Sequence, residues 1–102
     1  MIFLLTVWFP PSQSNAVAKI YFERPREIPH IRKWQAFNTS GGKKGHKQYH
    51  LIMTERGKGD DALIEINKYM MPLTNKIEGL RTKIEVLMGV TDSMNLLGID
   101  WE

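Results

Sequence analysis

Eight of the first nine residues are apolar, in the segment MIFLLTVWF that precedes Pro10-Pro11. Consecutive residues of a strand point to opposite faces. One face of this strand carries Ile2, Leu4, Thr6 and Trp8, and the other carries Phe3, Leu5, Val7 and Phe9. Because both faces are apolar, we expect the chain's own helices to cover one of them and a second copy of the chain to cover the other.

The spacing of apolar residues becomes helical after the prolines. We predict a helix over 12–23, because its apolar residues recur on one face. These residues are Ala16, Val17, Ile20 and Tyr21. The segment RPREIP at 24–29 cannot continue the helix, since its two prolines remove backbone donors and disfavour helical geometry in the residue before each of them. We therefore predict a connecting loop there.

Two alternating segments follow and predict a β-hairpin. Residues 31–38 and 48–54 each alternate between two faces, and the segment TSGGKKGH between them is typical of a turn. In the second strand His50 and Ile52 face one side, while Tyr49, Leu51 and Met53 face the other.

The second half of the chain repeats the order of helix and strand. Asp60 or Asp61 is placed to cap a helix, and we expect Pro72 to end or kink it. Residues 82–88 alternate as a fourth strand. Residues 93–97 then form a short helix that Gly98 closes in a left-handed conformation. A short tail at 99–102 ends the chain with Trp101-Glu102.

The predicted order, β-α-β-β-α-β with a short C-terminal helix, is that of the ferredoxin-like plait. We predict an α+β fold, with one domain over 1–102 and an antiparallel four-stranded sheet. Right-handed crossovers would place both long helices on one face of the sheet. The other face would then hold a homodimer together.

Composition excludes several classes of function. The chain is 42% apolar and 25% charged, as an ordinary globular domain is. It has no cysteine, which excludes disulfides, thiolate metal sites and a cysteine nucleophile. The apolar opening, about nine residues long, is too short to span a bilayer. It also lacks the basic start and the cleavage site of a signal peptide, so we expect a cytoplasmic protein with no membrane partner.

Charge is unevenly distributed along the chain. Residues 1–58 hold ten Lys/Arg and three Asp/Glu, whereas residues 59–102 hold four Lys/Arg and eight Asp/Glu. This asymmetry fits two halves that face each other, within the fold or across a dimer. It also fits the attraction of an acidic partner.

The element order, the opening strand MIFLLTVWF, the hairpin KWQAFNTSGGKKGHKQYHLIMTE and the ending VLMGVTDSMNLLGIDWE together resemble the dimeric α/β-barrel superfamily. Within it the layout is most similar to uncharacterised DUF3303-type proteins. The resemblance implies a homodimer of ferredoxin-like subunits that holds a small molecule between sheet and helices. The superfamily includes cofactor-independent monooxygenases, isomerases, haem-degrading enzymes and members without demonstrated activity, so it leaves the reaction open.

Candidate site residues follow from the strand pattern and from this resemblance. We expect His50 as an acid–base or hydrogen-bonding group, because a histidine titrates near neutral pH. Thr6 would position the ligand. The pocket-lining candidates are Trp8, Trp34, Tyr49 and Met70. The first functional hypothesis is binding, and cofactor-free transformation, of a small apolar or aromatic molecule. The alternative is a non-catalytic structural or regulatory interaction module.

Metal and haem chemistry receive little support. His46 and His50 have a spacing that chelates metal on a helix, but on a strand they would lie roughly 13 Å apart. We predict no metal and no cofactor. The haem-degrading relatives use an asparagine on the first strand, together with a tryptophan and a histidine. This chain offers Thr6 and no asparagine there.

Nucleic-acid binding is the weakest alternative. The segment GGKKGHK is rich in glycine and lysine, but a phosphate-binding loop needs its glycines between a strand and a helix. This segment joins two strands. The third strand, QYHLIM, also lacks the signature of RNA-recognition domains.

Overall fold

A four-stranded antiparallel sheet and three helices make up the described part of the chain, residues 1–40 and 45–98 of a computed structural model. The elements are β1 (Ile2–Phe9), α1 (Ser14–Glu23), β2 (Ile31–Ser40), β3 (His46–Thr54), α2 (Gly59–Lys76), β4 (Arg81–Leu87) and α3 (Val90–Leu96). The strand order in the sheet is β2-β3-β1-β4. The predicted α+β class, antiparallel sheet and short last helix are confirmed. The predicted turn lysines Lys43 and Lys44 and the tail at 99–102 lie outside the described residues.

One face of the sheet packs against α1 and α2. The residues of β1 that point to this face are Phe3, Leu5, Val7 and Phe9, all buried. They form one hydrophobic core with Val17 of α1 and with Ile66 and Leu73 of α2. This side is called the covered face below. Its residues carry most of the buried apolar surface that stabilises the fold.

The opposite side, called the open face below, carries the other residues of the same strands. Antiparallel pairing sets Leu4 opposite Leu51 and sets Thr6 opposite Tyr49. The apolar and aromatic members of the open face are Ile2, Leu4, Trp8, Phe37, Tyr49, Leu51, Met53 and Leu87. Phe37 is 54% exposed and most of the others are half-buried. None of them belongs to the hydrophobic core on the covered face.

The sequence predicts that Pro72 ends or kinks α2, and the first of these alternatives is wrong. The helix continues to Lys76. Because Leu73 and Ile77 are buried in the core just beyond Pro72, tertiary packing outweighs the backbone bond that proline removes. No helix in residues 1–40 and 45–98, α2 included, is long and apolar enough to cross a membrane.

The boundaries of several other elements differ from the predicted ones. A 3₁₀ turn at Pro11–Gln13 precedes α1, and both hairpin strands are two residues longer than the alternation indicated. Gly45, directly before β3, has a φ of 91°. A Cβ at this position would lie 2.6 Å from the carbonyl oxygen of Phe9. Glycine is therefore required both by the left-handed backbone and by the close approach of the hairpin to the end of β1.

The last helix, α3, buries little of its surface against the rest of the protein. None of the seven residues of α3 is buried. Leu96 and Leu97, at its end, are 74% and 67% exposed. Gly98 closes the helix with a φ of 72°, which confirms the predicted left-handed residue.

Candidate functional site

His50 lies at the centre of the covered face and is fully buried. The indole Nε1–H of Trp34 donates a hydrogen bond to Nδ1 of His50 at 2.9 Å. Since Nδ1 accepts, the neutral ring carries its proton on Nε2, which donates to Oε1 of Gln48 at 3.1 Å. The ring centroids of Tyr21, Trp34 and Tyr69 each lie 5.8 Å from that of His50. Both nitrogens of His50 are therefore occupied inside an aromatic cluster.

The electrostatic environment of His50 keeps its ring neutral. Burial, and secondarily the positive charge of Arg24, lowers the pKa of His50 from its usual 6.5 to about 4. A group with both nitrogens bonded and a pKa this low does not exchange protons with a ligand near neutral pH. The geometry supports a structural role for His50 as the polar centre of the covered face.

Three other predicted site residues lie on the open face. Thr6 is buried there, and it pairs with Tyr49 across β1 and β3. The Nζ atom of Lys47 lies 4.7 Å from the ring centroid of Tyr49 and 5.4 Å from that of Trp8. These are cation–π distances, so the ammonium group lies against both aromatic rings.

The sheet therefore divides the predicted site residues into two groups. His50 and Trp34 contact each other on the covered face, where Met70 of α2 also packs against the core. Thr6, Trp8 and Tyr49 lie on the open face. Leu5 is the residue directly opposite His50, so its neighbour Thr6 points to the other side. The expectation that His50 and Thr6 act in one pocket is corrected by this register.

A second cluster surrounds Arg24, at the end of α1. Its guanidinium carbon lies 4.5 Å from the ring centroid of Tyr21 and 5.3 Å from that of Trp34. One terminal nitrogen donates to the hydroxyl of Tyr21 at 3.1 Å. The other terminal nitrogen donates to the carbonyl oxygen of Pro25 at 3.3 Å. The guanidinium is thus held by aromatic contacts and by two neutral acceptors.

Two buried polar atoms of this cluster have no hydrogen-bond partner among the described residues. They are the Nε atom of Arg24 and the hydroxyl of Tyr69. Tyr69 is only 7% exposed, and burial raises the pKa of its hydroxyl well above the usual range. Since buried polar groups are almost always bonded, these two atoms are exceptions that need an explanation.

Both residues border a cleft of about 310 Å³ between the end of α1, the loop at 24–29 and α2. The apolar residues in its wall are Ile20, Pro25, Ile28, Pro29 and Pro72. Charged residues from both helices and the loop line it as well, namely Glu23, Glu27, Glu65, Lys68 and Lys76.

The sequence analysis missed this cluster. It assigned Arg24 to a connecting loop on account of the adjacent Pro25, and it used the aromatic residues of both helices only as core. Nothing in the alternation of apolar and polar positions indicates that a loop arginine lies on the aromatic cluster. The one available signal was the spacing of Tyr21 and Arg24, three residues apart at the end of a helix.

No group of three or more histidine, cysteine or acidic side chains suited to a metal ion occurs within residues 1–40 and 45–98.

Comparisons with known proteins do not place the chain in a family. No protein-family model matches it, and no curated protein matches it. Among solved structures, the chain is similar to the crystal structure of a DUF3240 family protein from Shewanella baltica OS155. The two are 13% identical with a TM-score of 0.42, and the match covers 86% of this chain and 91% of the other. The resemblance to DUF3303-type proteins is not supported.

Proposed function

We propose that this protein is a homodimeric, non-catalytic interaction module with a ferredoxin-like plait, whose two copies pack through their open faces. The order β-α-β-β-α-β and the strand order β2-β3-β1-β4 support the plait. The single observation that carries the dimer is the apolar surface of the open face. It is formed mainly by the central strands β1 and β3, whereas β2 and β4 contribute mostly polar and charged residues, among them Lys33, Lys83 and Glu85. No described residue outside the sheet packs against it as part of the hydrophobic core.

The size of the open face favours a second copy as its occupant. Four strands about 4.8 Å apart and about seven residues long cover roughly 450 Å² of flat sheet. A stable interface buries about 800 Å² per partner. The open face therefore supplies more than half of the area that a dimer needs, and the remainder must come from nearby exposed residues.

Exposed apolar residues of α3 and its end can supply that remainder. Val90, Leu96 and Leu97 are each more than half exposed. A helix of seven residues is only marginally stable without packing, and α3 buries none of its residues within the protomer. We propose that α3 of each copy packs against the partner.

The hypothesis of an enzyme acting through His50 and Thr6 has less support. The hydrogen bonds from Trp34 and to Gln48 use both nitrogens of His50. Thr6 lies on the other side of the sheet. Because His50 and Thr6 offer no free acid–base group, they do not support a particular reaction. We therefore prefer an interaction module as the function.

Nucleic-acid binding is a second candidate for the open face, and one observation favours it. Trp8, Phe37 and Tyr49 occupy the same end of this face as Lys47, Arg81 and Lys83. Aromatic rings beside cations are typical of single-strand binding surfaces. Lys47 already lies against two of the rings, however, and would have to move before a base could stack. We therefore rank the dimer first.

Sedimentation velocity at micromolar concentration tests the dimer. We expect a mass of roughly twice 11.8 kDa. Leu51→Lys, which places a charge at the centre of the open face, should give monomers. Ile64→Lys is the matched control, because Ile64 is 57% exposed on α2 and lies outside the sheet. A folded wild-type monomer, or a dimer that survives Leu51→Lys, would contradict the proposal.

The same preparations distinguish the second candidate. Fluorescence anisotropy with a labelled ten-nucleotide uridine strand at low salt should show no binding by the dimer. Saturable binding that weakens steeply with salt and is lost in Lys47→Ser would favour the nucleic-acid function instead.

A further inference from the structure

We propose that the cleft between the end of α1, the loop at 24–29 and α2 binds a small apolar organic acid, whose carboxylate is held by Arg24 and Tyr69. This site lies on the helix side of the molecule and is independent of the dimer proposed for the open face.

The first argument is the type of the two unpartnered atoms. The Nε–H of Arg24 and the O–H of Tyr69 are both donors, and neither has an acceptor among the described residues. Both residues line the same cleft and contact the same indole: the guanidinium carbon of Arg24 lies 5.3 Å from the ring centroid of Trp34, and the ring centroid of Tyr69 lies 5.1 Å from it. Two neighbouring donors require a group that accepts twice, and a carboxylate does so with its two oxygens.

The second argument is the unbalanced charge of Arg24. No carboxylate lies within ion-pair distance of its guanidinium in residues 1–40 and 45–98. The neighbouring Glu23 is exposed and lies 3.9 Å from Lys19 instead. A half-buried cation that stacks on aromatic rings and lacks a counter-ion favours an anionic ligand over a neutral one.

The third argument is the shape and chemistry of the cleft. Its volume, about 310 Å³, is at the lower end for small-molecule sites. Apolar side chains from α1, the loop and α2 contribute to its wall, with Ile20, Ile28 and Pro72 among them. The acid should therefore carry a compact apolar or aromatic body. Lys68 and Lys76 border the cleft and add attraction for an anion, while Glu27 and Glu65 oppose it.

Binding requires a small movement. Neither unpartnered atom is accessible to solvent in the present arrangement. The acid must therefore displace part of the Arg24 side chain from its stack on Tyr21. The carboxylate would then accept from the Nε–H of Arg24 and from the hydroxyl of Tyr69.

The experiment is a titration followed by two-dimensional NMR, with the arginine Nε–H resonances included. Phenylacetate is the probe, and phenylacetamide and inorganic phosphate are the comparison compounds. We expect a saturable shift of the Arg24 Nε–H signal with phenylacetate, and binding at least about tenfold weaker for the neutral amide, since a charge-assisted bond is lost. Phosphate should bind more weakly than phenylacetate because it has no apolar body.

Three variants complete the test. Arg24→Gln should weaken phenylacetate binding by about tenfold or more, and Tyr69→Phe by about fivefold. Arg26→Gln is the matched control, because Arg26 belongs to the same loop but does not line this cleft. Binding should be the same in Leu51→Lys, which separates this proposal from that of the dimer.

Several outcomes would overturn the proposal. The absence of a saturable shift with phenylacetate would do so, as would equal binding of acid and amide. Equal losses in Arg24→Gln and Arg26→Gln would mean that general positive charge, not this cleft, attracts the acid. A high-resolution structure with one ordered water on both donors, combined with no phenylacetate binding, would identify water as the missing partner.

Discussion

The two faces of the sheet are built from alternate residues of the same strands, yet the helices bury one face and leave the other partly exposed. On the covered face Leu5 and His50 are directly opposite each other and fully buried, and both ring nitrogens of His50 are hydrogen-bonded. On the open face Leu4 and Leu51 are opposite each other in the same way, but they remain half-buried. The edge strands also place Lys33, Arg81, Lys83 and Glu85 on the open face. The difference therefore arises both from strand composition and from what the helices cover.

This contrast separates the residues that stabilise the protomer from the residues that are available to contact a partner. The core of the covered face is already packed by α1 and α2, whereas an apolar layer in contact with water gains free energy from any partner that covers it. We therefore expect substitutions on the covered face to change the stability of the protomer. Substitutions on the open face should change association.

The largest expected effect comes from neighbouring leucines that point to opposite faces. Leu5→Ala should lower the free energy of unfolding by about 3 to 4 kcal/mol, because it leaves a cavity in the core. Leu4→Ala should cost about 1 kcal/mol at low protein concentration, and more at high concentration, where dimers add to the stability. Urea unfolding at two protein concentrations measures both. Equal losses for the two variants would remove the distinction between the faces.

The next largest effect is the dependence of the free energy of unfolding on pH that His50 causes. Its pKa is lowered from 6.5 to about 4 in the folded protein. Between these values the unfolded chain binds a proton that the folded chain does not, so stability is complete above pH 6.5 and declines as the pH falls towards 4. The total decline attributable to His50 is roughly 3 kcal/mol.

Unfolding free energies measured from pH 7 to pH 5 test this dependence. His50→Gln should flatten the decline, whereas His46→Gln, on the same strand and only half-buried, should preserve it. An identical pH profile in wild type and His50→Gln would show that His50 is not the group responsible.

A smaller effect on the free energy of unfolding is expected for the buried hydroxyl of Tyr69, which has no hydrogen-bond partner among the described residues. Tyr69→Phe should leave the free energy of unfolding unchanged or raise it by about 1 kcal/mol, because it removes a buried donor without an acceptor. Tyr21→Phe removes the hydroxyl that accepts a bond from Arg24, and it should lower stability by about 1 kcal/mol. Thermal and urea unfolding compare the pair. If Tyr69→Phe is the more damaging of the two, its hydroxyl has a partner in solution.

The smallest effect is expected for the cations of the open face. Lys47→Ser removes the ammonium group that lies against Trp8 and Tyr49, which should cost about 0.5 kcal/mol. Lys33→Ser, an exposed lysine on the edge strand β2, should give no measurable change. A loss of several kcal/mol for Lys47→Ser would place this lysine inside the interface.

The candidate site could be predicted only in part from the sequence. Alternation correctly assigned His50 and Trp34 to strand positions, but it did not show that Thr6 points away from both. That depends on the pairing of β1 with β3, in which Leu5 and not Thr6 is opposite His50. A shift of one residue in this register would exchange the faces, and single-strand patterns do not determine the register between strands that are far apart in sequence.

The local sequence determined the strands, the helices and their order, because hydrophobic period, proline and glycine act over a few residues. It also determined the left-handed turn at Gly98. Tertiary structure alone decided that α2 continues through Pro72, since burial of Leu73 and Ile77 offsets the lost backbone bond. Likewise, only the packing of α1 and α2 on one side of the sheet placed Arg24 against Tyr21 and Trp34. Such contacts join residues distant in the chain, and their energies depend on burial, which a sequence pattern does not measure.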